Sequence, residues 1–368
     1  MRRLLLALSL AAALAGCRKD VSTDRPDVHA YEPVRIATAY IPLVEKPDAT
    51  RALLLGDEAK SLTNYFSNAG VKCFTSLEGR FDLIVIACEN MSRESCDRLC
   101  GSLSENGVVA WIMDLSNCTF GQLWDRVNEF SLAEAHVWMP GSERWVLVGR
   151  REPKRIKLAA MLDVFTREKA FDDLARSRCG TLPEMFAGYL GKREEITPAF
   201  RFNEGNETVR PECFFTKDVP AIDWIAQEDV DRDITRQVLS EIRSMQVVRR
   251  LAVKGGIAAA EARDKQGEEE ATAILARALR RNPNELFVLE RLDRLERNAR
   301  GFLEVGKVLL AMKCFETMVL IRPEDAAAVH NFGMCLKKIG KLDLAEKVLK
   351  RAEALGRGNG VEGKGTGK

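Results

Sequence analysis

Gly56, Asp57, Glu58, Glu89 and Asp114 are the residues through which the first two thirds of this chain could do chemistry. Gly56, Asp57 and Glu58 follow the run Arg51-Ala52-Leu53-Leu54-Leu55. Glu89 stands just beyond Phe81–Ala87, and Asp114 closes Val108–Met113. Each run is largely apolar, the pattern of a strand buried on both faces. Ligands of doubly wound sheets bind just past such strand ends. A carboxylate there can take a proton from a nucleophile, and a glycine there lets backbone approach a ligand. The four acids also have a plainer reading, a solvated rim, and that reading is preferred.

The elements that would hold these residues can be taken in order. Residues 18–38 read as a charged, proline-containing tether, and Ala39–Pro47 as a lead into the first strand. Lys60–Ala69 carries Leu62, Tyr65 and Phe66 at helical spacing, and Gly70 stops it. Val71–Phe74 is the next strand. Ser92–Ser104 is helical through Cys96, Leu99, Cys100 and Leu103, and Asn106-Gly107 is a turn. Phe120–Phe130 is a helix with Leu123, Val127 and Phe130 on one side. Ala135–Trp138 and Trp145–Val148, joined through Pro140-Gly141, predict an antiparallel hairpin. Ile156–Leu174 and Asp231–Leu251 read as helices, with loops between them.

A net charge of +2 on 368 residues, with both signs interspersed, gives no electrostatic footprint for nucleic acid, and no such partner is expected. Ten cysteines without a Cys-x-x-Cys pair, and only three histidines, give no metal site. Arg2 and Arg3 precede the apolar run Leu4–Ala15, which is too short to span a bilayer and has the length of a signal-peptide core. It ends in Leu14-Ala15-Gly16-Cys17, which resembles the lipobox of bacterial lipoproteins. That resemblance implies cleavage before Cys17, lipid on its thiol, and a place in the bacterial cell envelope. The anchor would sit in the outer membrane or on the periplasmic face of the inner membrane, not in the cytoplasm. The other nine cysteines read as buried free thiols.

The C-terminal third repeats itself. In the last unit Val329, Phe332, Gly333 and Leu336 occupy a first helix, Gly340 the turn, and Ala345, Leu349 and Ala352 a second helix. Gly306, Ala311, Phe315, Met318 and Pro323 repeat the pattern, as do Gly267, Ala271, Leu275, Ala278 and Pro283. Small residues let paired helices approach closely, larger ones fill the space between pairs, and proline breaks the chain before the next unit. The pattern resembles tetratricopeptide repeats, about three over residues 231–356. Pro283 and Pro323 are forty apart rather than the thirty-four of that repeat, which predicts about six extra residues in the first helix of the middle unit. Residues 357–368 are glycine-rich and read as a disordered tail.

A doubly wound sheet closed by an antiparallel hairpin resembles S-adenosylmethionine-dependent methyltransferases, and more narrowly spermidine-synthase-like proteins. The lead Tyr40-Ile41-Pro42-Leu43, the strand Phe81–Ala87 and the hairpin His136–Gly149 carry that likeness over residues 39–230. Asn206–Phe214 resembles an eroded copy of a tail motif of the bacterial relatives. The departures fall on the chemistry. Asp57, Glu58 and Ala59 stand where that family has glycines, and Ala87 stands where it has its catalytic aspartate, with Glu89 as the one replacement base.

The expected fold is therefore an α/β Rossmann-like, methyltransferase-type domain followed by an all-α repeat array. The expected function is a lipid-anchored, non-catalytic adaptor that binds a protein partner through its repeats. Two alternatives are a spermidine-synthase-like aminopropyltransferase or methyltransferase with an altered pocket, and a nucleoside or polyamine sensor. S-adenosylmethionine or a derivative would be a cofactor only if a pocket at Gly56, Asp57, Glu58 and Asp114 survives.

Overall fold

A computed structural model describes residues 32–358, apart from 89–90, 117, 143, 178–179, 201–213 and 215–218. Cys17, Glu89, most of Asn206–Phe214 and residues 359–368 of the tail lie outside the described residues. The chain divides at Arg250/Leu251 into two compact units.

The strands of the first unit are β1 (Arg51–Leu55), β2 (Lys72–Phe74), β3 (Phe81–Ala87), β4 (Leu103–Asp114), β5 (Glu134–Trp138), β6 (Arg144–Arg150), β7 (Ile156–Lys157), β8 (Tyr189–Lys192) and β9 (Ile225–Ala226). Seven form one sheet in the order β2-β1-β3-β4-β6-β5-β8, while β7 pairs with β9 apart from it. β2, β1, β3 and β4 are parallel. β6 runs antiparallel to both β4 and β5, so the expected hairpin closes the parallel half, with Trp138 opposite Val146.

The helices of this unit are α1 (Glu32–Glu45), α2 (Asp57–Ser61), α3 (Thr63–Asn68), α4 (Arg93–Gly101), α5 (Phe120–Glu129), α6 (Leu158–Val164), α7 (Glu168–Ser177), α8 (Leu182–Phe186), α9 (Arg193–Phe200) and the start of α10 (Arg232–Glu261). They cover both faces of the sheet. Leu54, Leu83, Val85, Val108 and Ala110 pack with α1, α6 and α7 in one core. Leu53, Ile84, Ile86, Val109 and Trp111 pack with α4 and α5 in the other. That double burial is why β1 and β3 read as unbroken apolar runs rather than alternating ones.

Six expectations are corrected in detail. Leu103, expected in the helix over Ser92–Ser104, opens β4, and the stretch expected as loops between Leu174 and Asp231 contains α8, β8 and α9. Residues 32–38 are the first turns of α1 rather than the end of a tether, and the lead around Pro42 belongs to the same helix. A proline inside a helix costs about 3 kcal/mol. Ile36, Tyr40, Ile41, Leu43 and Val44 are all fully buried, and at about 2 kcal/mol each they outweigh it. The helix expected over Lys60–Ala69 is two short ones, α2 and α3, broken at Leu62. Asn106-Gly107 lies inside β4, where the register against β3 slips between Phe81 and Leu83. A side chain at Gly107 would stand 3.0 Å from the Phe81 carbonyl oxygen, so the bulge requires glycine. Ile156–Leu174 is divided into β7, α6 and α7.

In the second unit the end of α10 is followed by α11 (Lys265–Arg281), α12 (Leu286–Glu304), α13 (Val308–Ile321), α14 (Ala326–Lys338) and α15 (Leu342–Gly358). A side chain added at Gly333 would come within 2.9 Å of Leu349, and one at Gly255 equally close to Leu275. Ala299 lies sixteen residues before Phe315, as Gly333 does before Leu349, and is fully buried. The close approach of paired helices is thus made twice at a glycine, and Ala299 stands buried at the corresponding place in the middle pair. Ala311, Ala345 and Ala352 are buried alongside Phe315 and Met318. Gly306 and Gly340 turn the chain with φ of 72° and 80°, which glycine adopts without strain. Pro323 sits in the turn between α13 and α14. α12 has 19 residues against 13 in α14, so the extra six fall in the first helix of the middle pair, as the proline spacing predicts.

Candidate functional site

The strand order reverses at β1, whose neighbours are β2 and β3, and the carboxyl ends of these strands are where a doubly wound sheet holds a ligand. Gly56 leaves β1 with φ of 91°, and a Cβ on it would lie 2.0 Å from the Ala87 carbonyl oxygen at the end of β3. Backbone therefore meets backbone at the reversal. Asp57 points to solvent and pairs with Lys60 at 3.4 Å. Asp114 ends β4, is exposed, and accepts the Ser116 N–H at 2.8 Å.

Glu58 does something else. Its carboxylate forms an ion pair with Arg144, the first residue of β6, which lies opposite Asp114 in the register. Three strand spacings of about 4.8 Å separate β1 from β6. The pair therefore reaches across the carboxyl ends of β3 and β4. Of the expected site residues the structure brings Gly56, Glu58 and Asp114 to one end of the sheet, with Arg144 added, and leaves Asp57 facing water. Trp111 backs this end, its indole N–H donating to the Cys88 carbonyl at 3.0 Å.

A cleft of about 570 Å³ opens at the other end of the sheet, where Val108 pairs with Arg150. Its wall includes Glu45, Asn106, Arg150 and Lys154. Behind the wall is a buried polar network that no sequence spacing announced. Glu45 is fully buried, and its carboxylate lies 2.8 Å from His136 Nδ1, 3.0 Å from the Trp138 indole nitrogen, and in an ion pair with Arg150. Arg150 also donates to the carbonyls of Lys154 and Glu45. His136 Nε2 faces Glu134 at 3.7 Å. Burial opposes the imidazolium, but the Glu45 and Glu134 carboxylates outweigh it and push His136 up to about 9. Burial likewise holds Tyr189 well above the usual phenol range, and its hydroxyl accepts the Trp224 indole N–H at 3.0 Å. The one signal in the sequence was a histidine within the apolar strand Ala135–Trp138.

The cleft offers no single charge to a ligand. Lys46 pairs with Asp48, Arg155 with Glu228 and Lys157 with Asp229, so much of its charge is answered within the protein. Among the described residues no group of three metal-ligating side chains occurs, and no disulfide joins the seven cysteines. No described helix is long and apolar enough to cross a membrane. Comparison with family models, curated proteins and solved structures gives no match.

Proposed function

We propose that this chain is a lipid-anchored, non-catalytic adaptor, in which a degenerate spermidine-synthase-like domain carries a tetratricopeptide array that binds a protein partner. The observation that carries the non-catalytic half is the Glu58–Arg144 ion pair across the carboxyl ends of β3 and β4. A nucleoside cofactor in such a sheet needs that space and a glycine-rich turn beside it. Here the turn supplies Glu58, and the space holds its carboxylate and a guanidinium. The parallel half closed by the β5–β6 hairpin supports the methyltransferase-type reading of the fold. The close approaches at Gly255 and Gly333, the buried Ala299 at the corresponding place in the middle pair, and the glycine turns at Gly306 and Gly340 support the tetratricopeptide reading. Stacked helix pairs of that kind present an extended surface suited to a peptide or protein.

Calorimetry with S-adenosylmethionine, its decarboxylated form and spermidine tests the reading directly. No saturable heat is expected, and no transfer to putrescine. Saturable binding of any of the three would replace the adaptor with a sensor. Turnover would restore the transferase, and its loss in Glu89→Gln would name the base. The anchor is tested separately by Cys17→Ser, which should leave the chain unprocessed or released from membranes. A variant that fractionates like the parent would remove the lipid from the proposal.

A further inference from the structure

The second unit exposes large apolar side chains unevenly. Val305, Leu309, Leu310, Leu320, Met334, Leu342 and Leu344 are its exposed large hydrophobics among the described residues. Five of these seven flank just two turns, Gly306-Lys307 and Gly340-Lys341. The connections between α12, α13, α14 and α15 are short, so successive helices run antiparallel. The two Gly-Lys turns therefore lie at one end of the array. The Asn282-Pro283-Asn284-Glu285 and Arg322-Pro323-Glu324-Asp325 turns lie at the opposite end.

The equivalence of the two turns is close. Leu310 and Leu344 each stand four residues after the turn glycine, and Val308 and Leu342 each stand two after it. Leu309 is 62% exposed and Leu342 61%, so most of each residue faces solvent. Both leucines are in the first turn of a helix, where nothing in the packing of the pair asks for an apolar residue. The small residues that do pack, Ala311 and Ala345, come next and are buried.

The charge around these leucines is basic. Lys307, Lys337, Lys338 and Lys341 are all exposed, and among the described residues none is in an ion pair. Glu304 and Asp343 accompany them at the two turns, and the short 262–264 connection at the same end adds Asp264, Glu268, Glu269 and Glu270 against Arg263 and Lys265. The opposite end carries Glu285, Arg322, Glu324 and Asp325 in its turns, with Arg322 paired to Glu324 and with Glu285 and Asp325 engaged in capping α12 and α14. Apolar side chains rimmed by lysines suit the boundary between acyl chains and anionic headgroups, where leucine enters the apolar layer and lysine stays at the phosphates. A soluble peptide groove would set its apolar residues along the helices, whereas here they crowd the tips.

We propose that the Gly-Lys tips of the last two helix pairs, with Leu309, Leu310, Leu342 and Leu344 as inserting residues, dock on an anionic lipid surface. This goes beyond the adaptor reading and does not depend on Cys17. The docking is reversible and orients the array by its tips, leaving the flanks of the helices open.

The test uses the full chain carrying Cys17→Ser, so that no lipid anchor contributes, in flotation with phosphatidylglycerol-containing and pure phosphatidylcholine vesicles. The chain should float with the anionic vesicles, less so as salt rises, and not with the neutral ones. The double variant Leu309→Ser/Leu342→Ser should lose most of that binding, and Lys307→Glu/Lys341→Glu should weaken it roughly tenfold or more. Leu320→Ser changes another exposed leucine, 53% exposed and near the other end of α13, and should bind like the parent. Equal flotation with neutral vesicles, no flotation at all, or full binding by the leucine double variant would overturn the proposal. Concentration-dependent self-association that the leucine variant abolishes, without vesicle binding, would reassign the tips to a contact between copies of the chain. Circular dichroism of each variant, expected to match the parent because every changed side chain is exposed, keeps a folding defect from passing as a binding one.

Discussion

Moving from about pH 6 to about pH 9.5 should cost the first unit about 3 kcal/mol more in the parent chain than in His136→Gln. His136 is pushed up to about 9 from an ordinary value of 6.5 by the Glu45 and Glu134 carboxylates, against the effect of burial. The folded value lies above the unfolded one, so the imidazolium stabilises the fold. Its contribution is fully present below about pH 6.5 and is lost as pH rises through about 9. That interval, at about 1.4 kcal/mol per pH unit, gives the figure of about 3 kcal/mol. The assay is urea unfolding followed by tryptophan fluorescence. All five tryptophans (Trp111, Trp124, Trp138, Trp145 and Trp224) belong to the first unit, so the signal ignores the helical array. With a slope of about 3 kcal/mol per molar urea, the extra shift of the midpoint is about 1 M. The Cys96 thiol in α4 is drawn below its usual range by its hydrogen bond with Cys100 and adds a second titration to the profile. The comparison with His136→Gln cancels that contribution. Tyr40 and Tyr189 are held above their usual range by burial and stay neutral throughout. Parallel pH profiles for parent and variant would refute the argument, because a histidine that is already neutral at pH 6 has no charge to lose.

Gly56→Ala should lower the stability of the first unit by about 3 kcal/mol or more, since it adds a Cβ 2.0 Å from the Ala87 oxygen at a φ of 91°; the same fluorescence titration reads it. Arg249→Ala should cost about 2–3 kcal/mol, because it leaves the Met139 and Pro140 carbonyls, at 3.0 and 3.2 Å, without their charged donor; Arg249→Lys should recover part of the loss. Ala345→Phe should overpack the α14–α15 pair by about 1–3 kcal/mol and raise hydrogen exchange over residues 326–358. Exchange in residues 39–220 should stay as in the parent, and an equal rise there would refute a local effect.

What the sequence made legible followed from regular patterns. β3 is found at its expected bounds because both its faces are buried and its apolar run is unbroken. The hairpin was legible from Pro140-Gly141 between two apolar stretches, and the helix pairs from alanines and glycines recurring in the same order, 34 apart in the last two units and about six more in the one before. Helix α1 was not, since a helix buried on every side has no polar face to set its period, and Pro42 argued against it. Asn106-Gly107 carries a turn signature, yet the chain uses its glycine for a bulge against Phe81. At the candidate site Gly56 and Glu58 could be named, but their partners could not. Ala87, Arg144 and the Glu45–His136–Arg150 set are joined only by the folded sheet, with 91 and 105 residues separating Glu45 from the other two. Ion pairs between elements far apart in the chain leave no spacing to read.

The extra length of α12 has a direction. Thirteen residues of α12 precede Ala299 and five follow it, whereas seven of α14 precede Gly333 and five follow. All six additional residues, about 9 Å of helix at 1.5 Å each, are therefore on the proline side. There Leu286, Val288 and Leu289 are buried, and a side chain added at Gly256 would meet Phe287 at 2.8 Å. Measured from the close-packed residue, both Gly-Lys tips stand at the same height. Whole turns added ahead of Ala299 would lengthen the array's far side and leave the tips level. A single residue added between Ala299 and Gly306 would swing one tip by about 100° and raise it about 1.5 Å above the other.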